Sequence, residues 1–135
     1  MLQKLTKKHG AFTLVEIMIV VAIIALLAAI AVPSFLRARK RSQATRILND
    51  LRLIDAAVDQ YAIETNKSTG FAPTSTDLIP YLKKGTSLYN TWKSVLNQAY
   101  ATPQAVDTLP KTPVGTMAAL SDVAPAEFWS PYGTQ

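Results

Sequence analysis

Hydrophobic and polar positions divide the chain into three stretches with different periods. From Ile17 to Val32 there is no period at all: sixteen uncharged, mostly aliphatic residues follow one another. From Ser42 to Glu64 the apolar residues Ile47, Leu51, Ile54, Val58 and Tyr61 recur at intervals of four, three, four and three, with Arg46, Asn49, Asp50, Arg52, Asp59 and Gln60 mostly off that line. Such spacing predicts a helix with one apolar stripe on which a small domain packs. Beyond Phe71 neither pattern persists, and seven of the eight prolines lie there, which predicts short elements joined by turns.

The first stretch is long enough to cross a bilayer. As a helix, Phe12 to Val32 covers about 31 Å, close to the hydrocarbon thickness. The ten Ile, Leu and Val residues from Ile17 to Val32 favour insertion by roughly 3 to 6 kcal/mol in sum. One acid, Glu16, stands at its edge. At mid-span an acid costs about 2.5 to 3.5 kcal/mol, and less near an end, so the segment inserts with Glu16 attached. An ionisable group beside a membrane span marks a functional position, which raises the question of its counter-ion.

Basic residues flank both ends: Lys4, Lys7 and Lys8, with His9, before the span, and Arg37, Arg39, Lys40 and Arg41 after it. Charge counting alone therefore leaves the orientation open. The second cluster suits a membrane–water interface, its stems lying along apolar surface and its charges facing anionic headgroups. Pro33 lacks a backbone donor and crowds the turn at Ala29, which predicts a kink or local weakening of the helix. A single helix from Phe12 to Glu64 would be about 80 Å long.

The polar loop Asn66-Lys67-Ser68-Thr69-Gly70 ends that helix. After it, Thr76 to Leu82 predicts a short capped helix, with Lys83-Lys84-Gly85 as its exit turn. Ser94 to Val106 is the best place for a strand or hairpin. Thr112 to Ser121 predicts another short helix. Phe128-Trp129-Ser130-Pro131-Tyr132 is expected to fold back as an aromatic closure on the stripe.

A basic leader, a small residue, then Phe12-Thr13-Leu14-Val15-Glu16 and an aliphatic run resembles the signature of type IV prepilins and of the pseudopilins of type II secretion. The resemblance is strong from Lys7 to about Tyr61. It includes Pro33, twenty-one residues after Phe12. It implies a leader cut by a membrane-embedded prepilin peptidase, N-methylation of the new amine, residence in the bacterial inner membrane with the head in the periplasm, and assembly by a platform into a pseudopilus or pilus. Such families usually cut after a glycine that directly precedes phenylalanine. Here Ala11 intervenes between Gly10 and Phe12. Cutting after Ala11 makes Glu16 the fifth mature residue, and we favour that bond over the one after Gly10. The resemblance further implies that Glu16 attracts the N-terminal amine of a neighbouring subunit.

The implied architecture is α+β and type IV pilin-like: leader 1–11, membrane and assembly helix 12–33, amphipathic continuation 34–65, and a head, 66–135, of short helices with a small antiparallel sheet. Assembly residues are Phe12, Glu16 and Pro33; processing residues are Gly10, Ala11 and Phe12. The short, cysteine-free head leans toward a G-type pseudopilin. Calcium-binding relatives of that type carry a loop that Leu96-Asn97-Gln98-Ala99-Tyr100 echoes faintly, without its glycine and proline and with Ser94 where an aspartate might stand; calcium is unsupported. Asp50, Asp55 and Asp59 are candidates to meet the cations of Arg37 to Arg41 on adjacent subunits. Asp107 and Asp122 read as turn or cap residues.

Other readings share the same residues. A plain signal anchor would make Glu16 incidental. A secretory signal peptide cut at Ala29-Ile30-Ala31 would release Val32 onward as a soluble protein. A minor pilin could bind DNA or a surface through Lys83, Lys84 and Lys93 beside Trp92. Against nucleic acid stands the charge. The whole chain is +5, but from Ser42 on there are 7 basic and 8 acidic side chains, a net −1. With no cysteine and only His9 in the leader, thiol and imidazole catalysis have no mature residues to use. The reading is of a non-enzymatic subunit without a cofactor.

Overall fold

The computed structural model describes residues 10–103 and 105–133. The leader residues Lys4, Lys7, Lys8 and His9 lie outside the described residues. The first element, α1, is a helix from Leu14 to Thr65, and it belongs to two compact units, the first ending at Leu36 and the second starting at Arg37.

In the first unit the helix is apolar all round and none of it is buried. Leu14 to Leu36 rises about 34 Å, enough for a bilayer. Pro33 lies inside α1, and the helix is unbroken there. A melted segment, which the resemblance would allow, is not observed there. Helical residues on both sides propagate across the one missing hydrogen bond, since nucleation rather than extension is the costly step.

In the second unit the stripe forms as its spacing predicts. Ile47, Leu51, Ile54, Val58 and Tyr61 are all buried, joined by Ala44, Leu48 and Ala57. They pack with Leu78, Leu82, Leu88, Tyr100, Leu120, Ala124, Trp129 and Tyr132 in one core. The helix ends at Asn66, which takes the left-handed conformation (φ 51°). Asparagine tolerates that region because its short polar side chain bonds locally.

Short elements follow. Helix α2 spans Ser75–Leu78 and runs into a 3₁₀ turn, Ile79–Tyr81. Asp77 stabilises its start by accepting from the backbone N–H of Thr74 at 2.8 Å and from its hydroxyl at 2.6 Å. Helix α3, Ser87–Thr91, begins at Thr86, whose Oγ1 accepts from the N–H of Tyr89. Helix α4 spans Thr116–Ala119, inside the predicted Thr112–Ser121 segment, and a 3₁₀ turn covers Ala126–Trp129. The aromatic closure is present: Trp129 is fully buried, and Phe128 meets it edge-on at 5.2 Å.

The expected antiparallel sheet is not formed among the described residues. What stands in Ser94 to Val106 is a single antiparallel bridge, Lys93 to Ala99, tightened by the Ser94 N–H donating to the Gln98 carbonyl at 2.8 Å. Pro103 follows soon after and has no N–H to extend a ladder. The head is thus a set of short helical turns held against α1.

Candidate functional site

The residues singled out for processing lie just before the helix. Gly10, Ala11 and Phe12 are outside α1 and exposed, Phe12 by 76%. Exposed backbone outside a helix is open to a peptidase. Thr13 sets the helix start. Its Oγ1 accepts from the N–H of Glu16 at 3.1 Å, and its carbonyl accepts from Ile17. Thr13-Leu14-Val15-Glu16 has the spacing of a capping box, the Ser/Thr side chain satisfying an orphan N–H three residues on. The sequence reading missed this role, although the Thr-x-x-Glu spacing signals it.

Glu16 lies in the first turn of α1, where the helix dipole favours a negative charge. Its carboxylate has no hydrogen bond or salt bridge among the described residues. Around it Val15, Ile17, Met18 and the aliphatic residues that follow are exposed. Among the described residues the first unit therefore presents an apolar rod with one unpaired acid near its tip.

In the second unit the structure redistributes the acids. Asp50 was expected to face neighbouring subunits. Instead its Oδ2 accepts from the Tyr100 hydroxyl at 2.9 Å. Burial pushes its carboxyl up, against the opposing pull of the Tyr100 bond and the Arg46 charge. Asp55 meets the Tyr132 hydroxyl at 3.5 Å and is likewise raised by burial first and then by Asp59. Asp59 alone of the three is exposed with no partner among the described residues. Within the basic cluster, Lys40 pairs with Asp122 at 2.9 Å, and that bond holds the Asp122 carboxyl below the usual range. Asp122 is thus an ion-pair residue rather than a cap, whereas Asp107 ties two distant loops by accepting from the Gly70 N–H, 37 residues away.

Neither alternative site is assembled as drawn. The Trp92 indole donates to the Tyr100 carbonyl, and Lys93 lines a cleft that Lys83 and Lys84 do not reach. The Ser94–Tyr100 segment does not fit a calcium loop. It holds no acid, and Ser94 Oγ is occupied by the N–H groups of Leu96 and Gln98.

The comparisons follow this geometry. Residues 6–32 match the prokaryotic N-terminal methylation motif. The chain is 38% identical over 65 residues to the type IV major pilin protein PilA of Myxococcus xanthus, covering 48% of this chain and 30% of that one. It is 43% identical over 58 residues to the type IV wide pilus major component PilA4 of Thermus thermophilus, covering 43% and 44%. It is 28% identical over 61 residues to the type II secretion system core protein G of Klebsiella pneumoniae, covering 45% and 44%. The chain thus spans less than half the length of these curated relatives. No solved structure matches it. The motif and the relatives together support the type IV prepilin and pseudopilin family.

Proposed function

We propose that the chain is a non-enzymatic structural subunit of a type IV pilus-like filament, either a pilus or the pseudopilus of type II secretion. A prepilin peptidase cuts the Ala11–Phe12 bond and the subunit rests in the inner membrane as a single-pass protein with its head in the periplasm. An assembly platform then draws it into a stack of related subunits. The observation that carries this reading is the apolar, wholly unburied first half of α1, with the carboxylate of Glu16 in its first turn unpaired among the described residues. Lipid covers the apolar surface in the membrane, and neighbouring helices cover it in a filament.

Glu16 sets register. Two unit charges about 4 Å apart attract by roughly 4 kcal/mol at an effective dielectric of 20. A carboxylate left unpaired in an apolar bundle is strongly penalised. Only the axial offset that brings Glu16 to a neighbour's N-terminal amine avoids that penalty. The test is expression with a prepilin peptidase and an assembly platform, followed by electron microscopy of sheared material. Filaments containing the processed chain support the reading. A processed chain that stays a membrane monomer contradicts it.

A further inference from the structure

An open cleft of about 570 Å³ lies on the head, between one face of α1 and the turn after α3. Arg46, Asn49 and Asp50 supply the α1 wall, at helical spacings of three and one. Lys93, Ser94 and Asn97 supply the other, held in place by the Lys93–Ala99 bridge. The cleft sets one carboxylate, Asp50, against two cations, Arg46 and Lys93. Asp50 already accepts from Tyr100, and no carboxylate lies within salt-bridge distance of Arg46 or Lys93 among the described residues. Ser94 is 4% exposed, and its Oγ accepts from two N–H groups, so its own proton has no acceptor among the described residues. Two cations and a buried hydroxyl against that one carboxylate leave a place for a second.

The same surface offers that carboxylate elsewhere. Asp59 is exposed and unpaired among the described residues. It stands thirteen residues beyond Arg46, which on α1 is about 20 Å along the axis and roughly 220° around it. One copy cannot bring its own Asp59 to its own cleft. A second copy, displaced along the helix, can. The flanking apolar residues match as well: Ile63, one turn beyond Asp59, is 81% exposed, and Val95 at the cleft wall is 39% exposed. Unlike faces of one chain that fit each other make a heterologous contact, which propagates as an open helical array instead of closing as a dimer.

We propose that the Arg46–Lys93 cleft receives Asp59 of a second copy, with Ile63 packing on Val95, as a head-to-helix contact between successive subunits. This rests on the filament reading and adds an outer contact to the Glu16 registry. The chain has no cysteine, so a full-length Asp59→Cys, Lys93→Cys variant carries only the two engineered thiols. Treated with a short bismaleimide in cells that polymerise the unaltered chain, it should yield a ladder of covalent dimers, trimers and higher species, the linker replacing the reach of the lost lysine stem that a disulfide cannot span. Each single-cysteine variant should not. Independently, Lys93→Glu should lower filament yield by about fivefold, the ratio that about 1 kcal/mol gives, and adding Asp59→Lys should restore it. Filaments that form normally from the double-cysteine variant but give no ladder would overturn the contact while leaving the filament reading intact. A ladder from Glu127→Cys with Lys93→Cys in place of the Asp59 pair would overturn the chosen acid. Absence of filaments from the unaltered chain would remove both.

Discussion

Removing one hydroxyl tests how the head is held to α1. Tyr100 is 4% exposed and its hydroxyl donates to Asp50 Oδ2 at 2.9 Å, bridging residues 50 positions apart. In Tyr100→Phe the ring still fills its space, but a half-buried carboxylate loses its donor. Hydrogen bonds to charged groups are worth about 1.5 to 3 kcal/mol, and partial exposure of Asp50 places this one near 1.5 kcal/mol. For a unit of about a hundred residues that lowers the melting temperature by about 8 °C. Urea unfolding of the full chain in non-ionic detergent, followed by tryptophan fluorescence, reads the change directly. The urea dependence itself should be unaltered, because the exposed surface is the same. A Phe variant within about 0.3 kcal/mol of wild type at pH 7 would refute the reasoning. The pH dependence adds a signature. Asp50 is raised from its ordinary 3.8 by burial, so its contribution is present below that value and is lost as pH rises through the folded one. Asp50→Asn should therefore be at least as stable as wild type at pH 7. Tyr100 is raised well above 10, by burial and then by the Asp50 charge. Its contribution holds below 10 and is lost as pH climbs through the folded value, so strong alkali should destabilise wild type more than Tyr100→Phe.

The remaining expectations concern the rod, the core and pH. Glu16→Leu should insert normally, since it removes a penalty, but should polymerise poorly; wild-type filament yield from that variant would count against registry by charge. Leu51→Ala, at a fully buried stripe position, should cost about 2.7 to 5 kcal/mol, measured by the same urea titration, with a cost below about 1 kcal/mol inconsistent with the packed core. Asp55, raised in the same direction as Asp50, should make wild type gain stability on mild acidification from pH 7, and Asp55→Asn should blunt that gain.

The two halves of α1 were legible for simple reasons. An uninterrupted aliphatic run has one physical solution in a chain of this size, and intervals of four and three place Ile47 to Tyr61 on one face. Two other features were harder for physical reasons. Helix α3 holds one buried apolar residue, Leu88, too few to show a period. The hairpin expected from Val95, Tyr100 and Val106 is cut short by Pro103, and the ring of Tyr100 is used in the core instead. The tyrosine clasps on Asp50 and Asp55 join positions 50 and 77 residues apart, which no local pattern encodes. The acids therefore looked free for neighbours when two of the three are held by the head. At the other end, Thr13 was readable as a cap, but the unusual position of Glu16 drew attention to partners in other chains.

The intact mass and first residue of the mature chain, recovered from all fractions of cells that supply a prepilin peptidase, test the central claim most directly. The account predicts a chain that begins at N-methylated Phe12 and retains Glu16 as its fifth residue. A chain that begins at Val32, released without its apolar helix, would contradict it.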